Sequence, residues 1–240
     1  MKIALTASEF NRKGGEARYV TELADNLYKT GHDVHVYTCN HINSRGITFH
    51  NIPNIPYSYP RILSYVPYFI QNSLNFRSCD YDIVHTGGNE SLYQDVITTQ
   101  SIHAAGMEYK KKYGSTGLGI LDKILLTIEK HIYTKQLFKK AICASESTKS
   151  ELMHFYNVPE SLIEVIPYGI NPSEFFPYNT EKDEDRITLM IVATEFLRKG
   201  VPELIKATNI LAERHNIRLM VVGSPSVEGN GRGKAYYDLM

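Results

Sequence analysis

At 240 residues, with 42% hydrophobic and 22% charged side chains, the chain can build one large core or one and a half domains. Its 26 basic and 26 acidic residues are well mixed, which excludes a global basic field for nucleic acid and any long like-charge tail. Three scattered cysteines (Cys39, Cys79, Cys143) without CxxC spacing exclude a disulfide framework or zinc centre and fit a reducing cytoplasm.

The opening apolar run, Met1 to Leu5, is shorter than the core of a signal peptide and reads as part of a first strand, Ile3 to Ala7. Gly14-Gly15 ends the following loop. A helix from about Glu16 to Thr30 carries Tyr19, Val20, Leu23 and Leu27 on one face, and Gly31 stops it. Val34 to Thr38 is a second strand, giving a βαβ unit whose parallel strands need the helical crossover. Ile47 to Ile52 is another strand, and Pro53 to Pro67 reads as a proline- and tyrosine-rich loop. Short buried strands follow at Asp82 to His85, ending at Gly87-Gly88, and at Asp95 to Thr99. A polar stretch from His103 to Gly119 leads into a predicted helix over Leu121 to Phe138, then a strand at Ala141 to Ala144. A helix over Ser147 to Phe155 and a strand at Ile163 to Pro167 complete this part. No stretch approaches the roughly 18 apolar residues of a membrane span.

The charged segment from Asn179 to Asp185 marks a linker, so the domains are expected at 1–178 and 187–240, joined by 179–186. The second part offers a buried strand, Leu189 to Val192, a loop with Arg198, Lys199 and Gly200, a helix to Arg214, and a strand from Arg218 to Gly223. It stops short of the several further βα units of a doubly wound sheet, so this domain is expected to be incomplete. The fold class expected is α/β, with two Rossmann-like domains and parallel sheets.

Two cations at a helix N-terminus, beside the C-terminal end of a strand, suit a diphosphate: the dipole favours the anion and the cations neutralise it. Arg198 and Lys199 occupy such a spot; the bland reading is a solvated first turn. The Gly14-Gly15 loop lets backbone approach a phosphate without a Cβ in the way. Glu16 and Arg18, on the first turn that follows, fit acceptor binding, although a helix N-terminus explains Glu16 equally well. Lys110 to Lys112 beside Tyr109 and Tyr113 fit either an anionic lipid surface or a mobile solvated loop. Asp82 reads as structural. A nicotinamide dehydrogenase fails because GGEARY replaces G-x-G-x-x-G and strand two ends in Tyr37-Thr38-Cys39. A P-loop fails because Lys234 is followed by Ala235 and the first glycine of the motif is missing.

Several stretches together resemble the retaining, two-domain (GT-B) glycosyltransferases of family 4. They are GGEARYVTELADNLYKTGHDVHVYT, DYDIVH with ITTQSIH, ICASESTKSELMHFYNVPESLIEVIPYGINPSEFFP, and IVATEFLRKGVPELIKA. The last is similar to the lipopolysaccharide core glucosyltransferase branch. The resemblance covers nearly the whole chain and implies transfer of a sugar from a nucleotide-diphosphate donor to a hydroxyl, with retained configuration, in envelope or surface glycan assembly. It implies that Gly15, Arg198 and Lys199 meet the donor diphosphate, and that His103 lies near the reacting sugar. Tyr168 stands where the family more often has Asn, and Ala193-Thr194 where wider members have Gly-Arg. No resident cofactor or metal is implied; the nucleotide-sugar is the co-substrate. The acceptor is expected to be a glycan or a lipid-linked one, and the location cytoplasmic, with peripheral contact to the inner membrane face left open. The family's acidic Glu-x7-Glu segment would fall beyond Met240, so the alternative is a truncated, inactive acceptor-binding or scaffold subunit.

Overall fold

The computed structural model describes residues 1–53, 62–112, 119–177, 185–193, 196–197 and 199–223. The chain divides into two compact units, Met1–Ile170 and Asn171–Met240.

In the first unit, β1 (Lys2–Thr6) is buried almost throughout, as expected of a parallel strand covered on both faces. A two-residue strand, β2 (Glu9–Phe10), and the loop to Gly14 carry the chain into α1 (Gly15–Lys29). Then β3 (Asp33–Thr38), a two-residue β4 (Asn40–His41) that pairs with β2, and β5 (Ile47–Asn51) follow. Further on come α2 (Ile62–Phe76), β6 (Ile83–Thr86), β7 (Val96–Thr99), α3 (His103–Lys112) and α4 (Ile120–Thr134). β8 (Lys140–Cys143), α5 (Glu146–Tyr156), a single 3-10 turn and β9 (Ile163–Val165) end the series.

Seven strands form one sheet in the order β5-β3-β1-β6-β7-β8-β9, and each described ladder is parallel. The order reverses direction between β1 and β6, a switch point that leaves a crevice beyond the carboxyl ends of these strands. Alternation along β1 serves two layers. Ile3 and Leu5 pack with Val20, Ala24, Val34 and Val36 against α1, while Ala4 packs with Tyr68, Phe76 and Val84 against α2. A third cluster, with Ile97, Ile132, Tyr133, Ala141, Leu152 and Tyr156, joins α4 and α5 to the other half of the sheet.

Three sequence expectations need correction. Residues 54–61 of the expected proline-rich loop lie outside those described, and the part from Ile62 is helical, in an α2 that runs through Pro67 to Phe76. One missing N–H near the helix start is outweighed by burial of Tyr68, Phe69 and Phe76. The polar stretch from His103 is helical as far as Lys112, because a buried carboxylate described below binds its first N–H groups. Lys110 and Lys111 therefore lie exposed on a helix, not in a mobile loop. The helix predicted to Phe138 stops at Thr134: Gln136 turns left-handed (φ 51°), and Leu137 N–H bonds back to the Ile132 carbonyl at 3.0 Å. That turn sends Phe138 into the core.

In the second unit, β10 (Ile187–Val192) and β11 (Ile217–Val222) pair in parallel, with α6 (Val201–Ala212) as their crossover. Gly223 (φ 126°) is obligatory: a Cβ there would stand 2.0 Å from the Ala193 carbonyl oxygen. The expected linker falls largely on residues 178–184, outside those described. Among the described residues no helix is long and apolar enough to cross a membrane.

Candidate active site

The crevice at the switch point of the first unit opens into a cavity of about 570 Å³. Its floor is made by Gly87 to Glu90 after β6 and by Thr98 to Ser101 at the end of β7. Ser64, Tyr65 and Tyr68 of α2 form one wall, and Leu121, Leu125, Glu129 and Tyr133 of α4 the other. Glu16 of α1 and His103 of α3 complete the lining with Ser8 and Cys39.

The floor is held by hydrogen bonds from the strand ends. The Thr6 hydroxyl at the end of β1 donates to Glu90 Oε2, and the Gly87 N–H donates to Thr6 Oγ1 at 3.2 Å. A side chain at Gly87 would press on the Thr6 carbonyl at 3.2 Å, so glycine keeps these two strands close at the crevice. Burial, followed by repulsion from Glu16, raises the Glu90 carboxyl to about 7, against the lowering effect of bonds from Thr6, Gly87 and Tyr68. Glu16 itself is exposed at the mouth, yet the surrounding walls desolvate its carboxyl enough to raise it too. Behind the floor, His85 Nε2 and Thr98 Oγ1 are 2.7 Å apart, and burial lowers the imidazole to about 4, leaving it neutral at pH 7.

Glu129, only 1% exposed, organises the far wall. Its Oε2 accepts from His103 N–H at 2.7 Å and Asn89 Nδ2 at 3.3 Å. Its Oε1 accepts from Ala104 N–H at 3.0 Å and the Tyr156 hydroxyl at 2.5 Å. One carboxylate thus satisfies the first N–H groups of α3, where the helix dipole favours a negative charge, and ties α3 to α4 and α5. His103 is the first residue of that helix. Its Nε2 stands 3.4 Å from Asp122 Oδ1 without hydrogen-bonding geometry, and Asp122 Oδ2 accepts from Gly119 N–H at 3.0 Å.

Of the residues expected to serve the site, the structure brings Glu16 and His103 to this cavity. Gly14 and Gly15 start α1, with Gly14 as a cap that has no side-chain bond and nothing within 4 Å of where either Cβ would be. The first N–H groups of α1 are therefore approachable, although neither glycine lines the cavity. Arg18 does not line it either; its guanidinium is 3.8 Å from Glu22. Lys199 is exposed in the second unit just before Gly200, which caps α6 in a left-handed conformation. Arg198 lies outside the described residues. Tyr168 packs against Tyr19 with its ring tilted by 39° and the ring centres 4.7 Å apart.

Sequence reasoning missed Glu90, Glu129 and Asn89. One signal was available, for Glu129. Glu129 falls on the apolar stripe of its helix, four residues from both Leu125 and Tyr133, where a solvated carboxylate does not belong. Glu90 and Asn89, in the loop after Gly87-Gly88, carried no such signal, because contacts distant in sequence place them.

The family model described as Glycosyltransferase Family 4 matches residues 13–174. An uncharacterized glycosyltransferase of Methanocaldococcus jannaschii is 26% identical over 93% of this chain and 63% of its own length. The phosphatidylinositol N-acetylglucosaminyltransferase gpi3 subunit of Schizosaccharomyces pombe is 24% identical over 89% of the chain and 49% of its own length. The chain thus spans between about half and two thirds of these relatives. Among solved structures, WaaG, a glycosyltransferase involved in lipopolysaccharide biosynthesis, superposes with a TM-score of 0.75 at 21% identity, over 99% of this chain and 66% of that one. Sucrose-phosphate synthase from Thermosynechococcus elongatus gives 0.72 at 17% identity, with the same coverage. At these identities the likeness establishes the fold, a partial GT-B arrangement.

Proposed function

The chain belongs to glycosyltransferase family 4, and from that premise we propose that it moves a sugar from a nucleotide-diphosphate donor to an acceptor hydroxyl, with retained anomeric configuration, in envelope or surface glycan assembly. Membership implies a sugar donor and an acceptor. The observation that carries the reading further is the polar cavity at the switch point of the first unit, with His103 on its wall and Glu16 at its mouth.

In this reading the cavity belongs to the acceptor, and His103 orients it or polarises the reacting sugar. The first turn of α1 after Gly14-Gly15 offers N–H groups to a phosphate. Arg198 and Lys199 neutralise charge growing on the departing diphosphate, a contribution worth several kcal/mol in a water-poor site. The nucleotide-sugar is co-substrate, and no resident cofactor enters the scheme. The name of the S. pombe relative points to a lipid acceptor. A lipid-linked acceptor and peripheral attachment at the cytoplasmic membrane face fit exposed Tyr109, Lys110 and Lys111 on α3 and exposed Ile120 at the start of α4.

The test is calorimetric titration of this chain, and of one extended as far as its relatives, with UDP, GDP and ADP. The extended chain is then assayed for transfer, and the anomer of the product is read by NMR. Binding of one nucleotide with retained product supports the proposal and names the donor class. No nucleotide binding to either chain sinks it, and leaves an acceptor-binding or scaffold subunit as the better reading.

A further inference from the structure

We propose that Asp122 is a positioning residue for His103: its carboxylate takes the Nε2–H of the imidazole and fixes the tautomer whose lone pair, on Nδ1, receives a hydroxyl of the substrate. The inference deepens the role given to His103 above and rests on it.

The two partners are anchored independently of each other. His103 is the first residue of α3, and its backbone N–H donates to Glu129 Oε2 at 2.7 Å, so the root of the ring is tied to α4. Asp122 is the third residue of that same α4. Its Oδ2 accepts from the N–H of Gly119, the residue before the helix, at 3.0 Å, and a helix N-terminus favours a negative charge there. The cap uses one oxygen and leaves the other for the ring, with Oδ1 3.4 Å from Nε2. That separation is about half an ångström beyond an ordinary charge-assisted bond. Bonds of this kind are often long in a free enzyme and tighten around a substrate.

The tautomer follows from electrostatics. Nε2 is fully buried, and a bare lone pair on it would face a carboxylate oxygen, two acceptors with no proton between them. With the proton on Nε2 the contact is attractive, and closing it would satisfy a buried donor that otherwise has no hydrogen bond. His103 lines the cavity, yet Nε2 has no surface to offer there. Of the two ring nitrogens, that leaves Nδ1 to meet an occupant, and in this tautomer Nδ1 accepts from a hydroxyl. The bond made by one nitrogen thus decides what the other can do.

The experiment reads the ring nitrogens directly. Long-range proton–nitrogen NMR spectra of the 240-residue chain, taken above the pH at which the ring titrates, distinguish the two tautomers. His103→Gln identifies the signals among the nine histidines. His103 should carry its proton on Nε2 and show a bare Nδ1. In Asp122→Asn the amide oxygen can keep the Gly119 bond while its NH2 group faces the ring, so the proton should move to Nδ1. Asp122→Glu retains a carboxylate and a capping acceptor, and should keep the proton on Nε2. In an extended chain, Asp122→Asn should lower kcat about 10–100-fold with KM little changed, the kinetic equivalent of one charge-assisted hydrogen bond. Asp122→Glu should recover most of that loss. The proposal is overturned if the unaltered chain carries the proton on Nδ1, or if Asp122→Asn leaves the ring nitrogens as they were. It is also overturned if the tautomer inverts with kcat unchanged. A residue that only caps α4 would shift the urea midpoint and move neither readout. The nucleotide titrations decide the transferase reading separately: without nucleotide binding the reaction is removed, while the ring nitrogens still decide whether Asp122 holds His103.

Discussion

Glu90 on the crevice floor and His85 behind it are shifted in opposite senses by burial. The carboxyl of Glu90, lifted from about 4.5 to about 7 by burial, keeps its proton in the folded chain after the unfolded chain has released it. Its contribution to stability is complete below pH 4.5 and vanishes as pH rises through 7. His85, lowered from 6.5 to about 4, works the other way: its contribution is complete above 6.5 and vanishes as pH falls through 4. Between 4.5 and 6.5 the two slopes, each about 1.4 kcal/mol per pH unit at most, cancel. Urea unfolding at pH 5 and pH 6 should show this. Glu90→Gln should lose stability towards pH 5, and His85→Gln should lose it towards pH 6. A flat profile in both variants would mean that neither group is perturbed. In the second unit, Arg198→Ala or Lys199→Ala should lower turnover of an extended chain about 10²–10³-fold with little change in urea midpoint. Normal turnover of either would remove that residue from the diphosphate role. The RKG run was plain in the sequence because a strand, two cations and a helix stand in a row. Glu90 was not, since nothing local says that a Glu after two glycines turns inward against Thr6, 84 residues away.

At the scale of elements, α3 and α4 are joined through one carboxylate. Glu129→Ala would strand two α3 N–H groups and the Tyr156 hydroxyl, and should destabilise the first unit by at least about 2 kcal/mol in urea unfolding. Glu129→Gln should fall between, because its amide sets donors against donors. Both should shift the His103 ring signals in NMR spectra, and unmoved signals would show that α3 does not depend on this anchor. Gln136 holds the left-handed position that ends α4, where a Cβ costs about 1 kcal/mol. Gln136→Gly should therefore raise the melting temperature. These elements also mark the limit of pattern reading. The α1 crossover and α5 were visible from apolar spacing, and α5 has its Ser145 cap. The α2 helix was hidden by Pro67, and α3 by a polar composition whose anchor lies 25 and 26 residues further along the chain.

For the molecule as a whole, the sheet, the crossovers and the α/β class followed from short apolar strands alternating with helical stretches, and Gly87-Gly88 at a strand end sits on the crevice floor while Gly14-Gly15 lies outside the cavity lining. The cavity wall did not follow, because long-range hydrogen bonds build it. The first unit has its own core clusters and its own cavity, so residues 1–170 alone should unfold cooperatively. A non-cooperative urea transition would show that the second unit supports it. The sheet also carries a consequence for how the chain reaches this state. β1 precedes the other strands of its sheet along the chain, yet it lies in the interior of that sheet, and its partner on one side begins with the pairing of Ile3 to Ile83. Until the 80 residues that separate this pair have followed β1, that edge of it stays open. Each ladder is parallel, so no tight hairpin can nucleate the sheet. Refolding should be slow for a chain of this size, and the half-built sheet β5-β3-β1, with a bare apolar edge, is the species most exposed to wrong partners during synthesis.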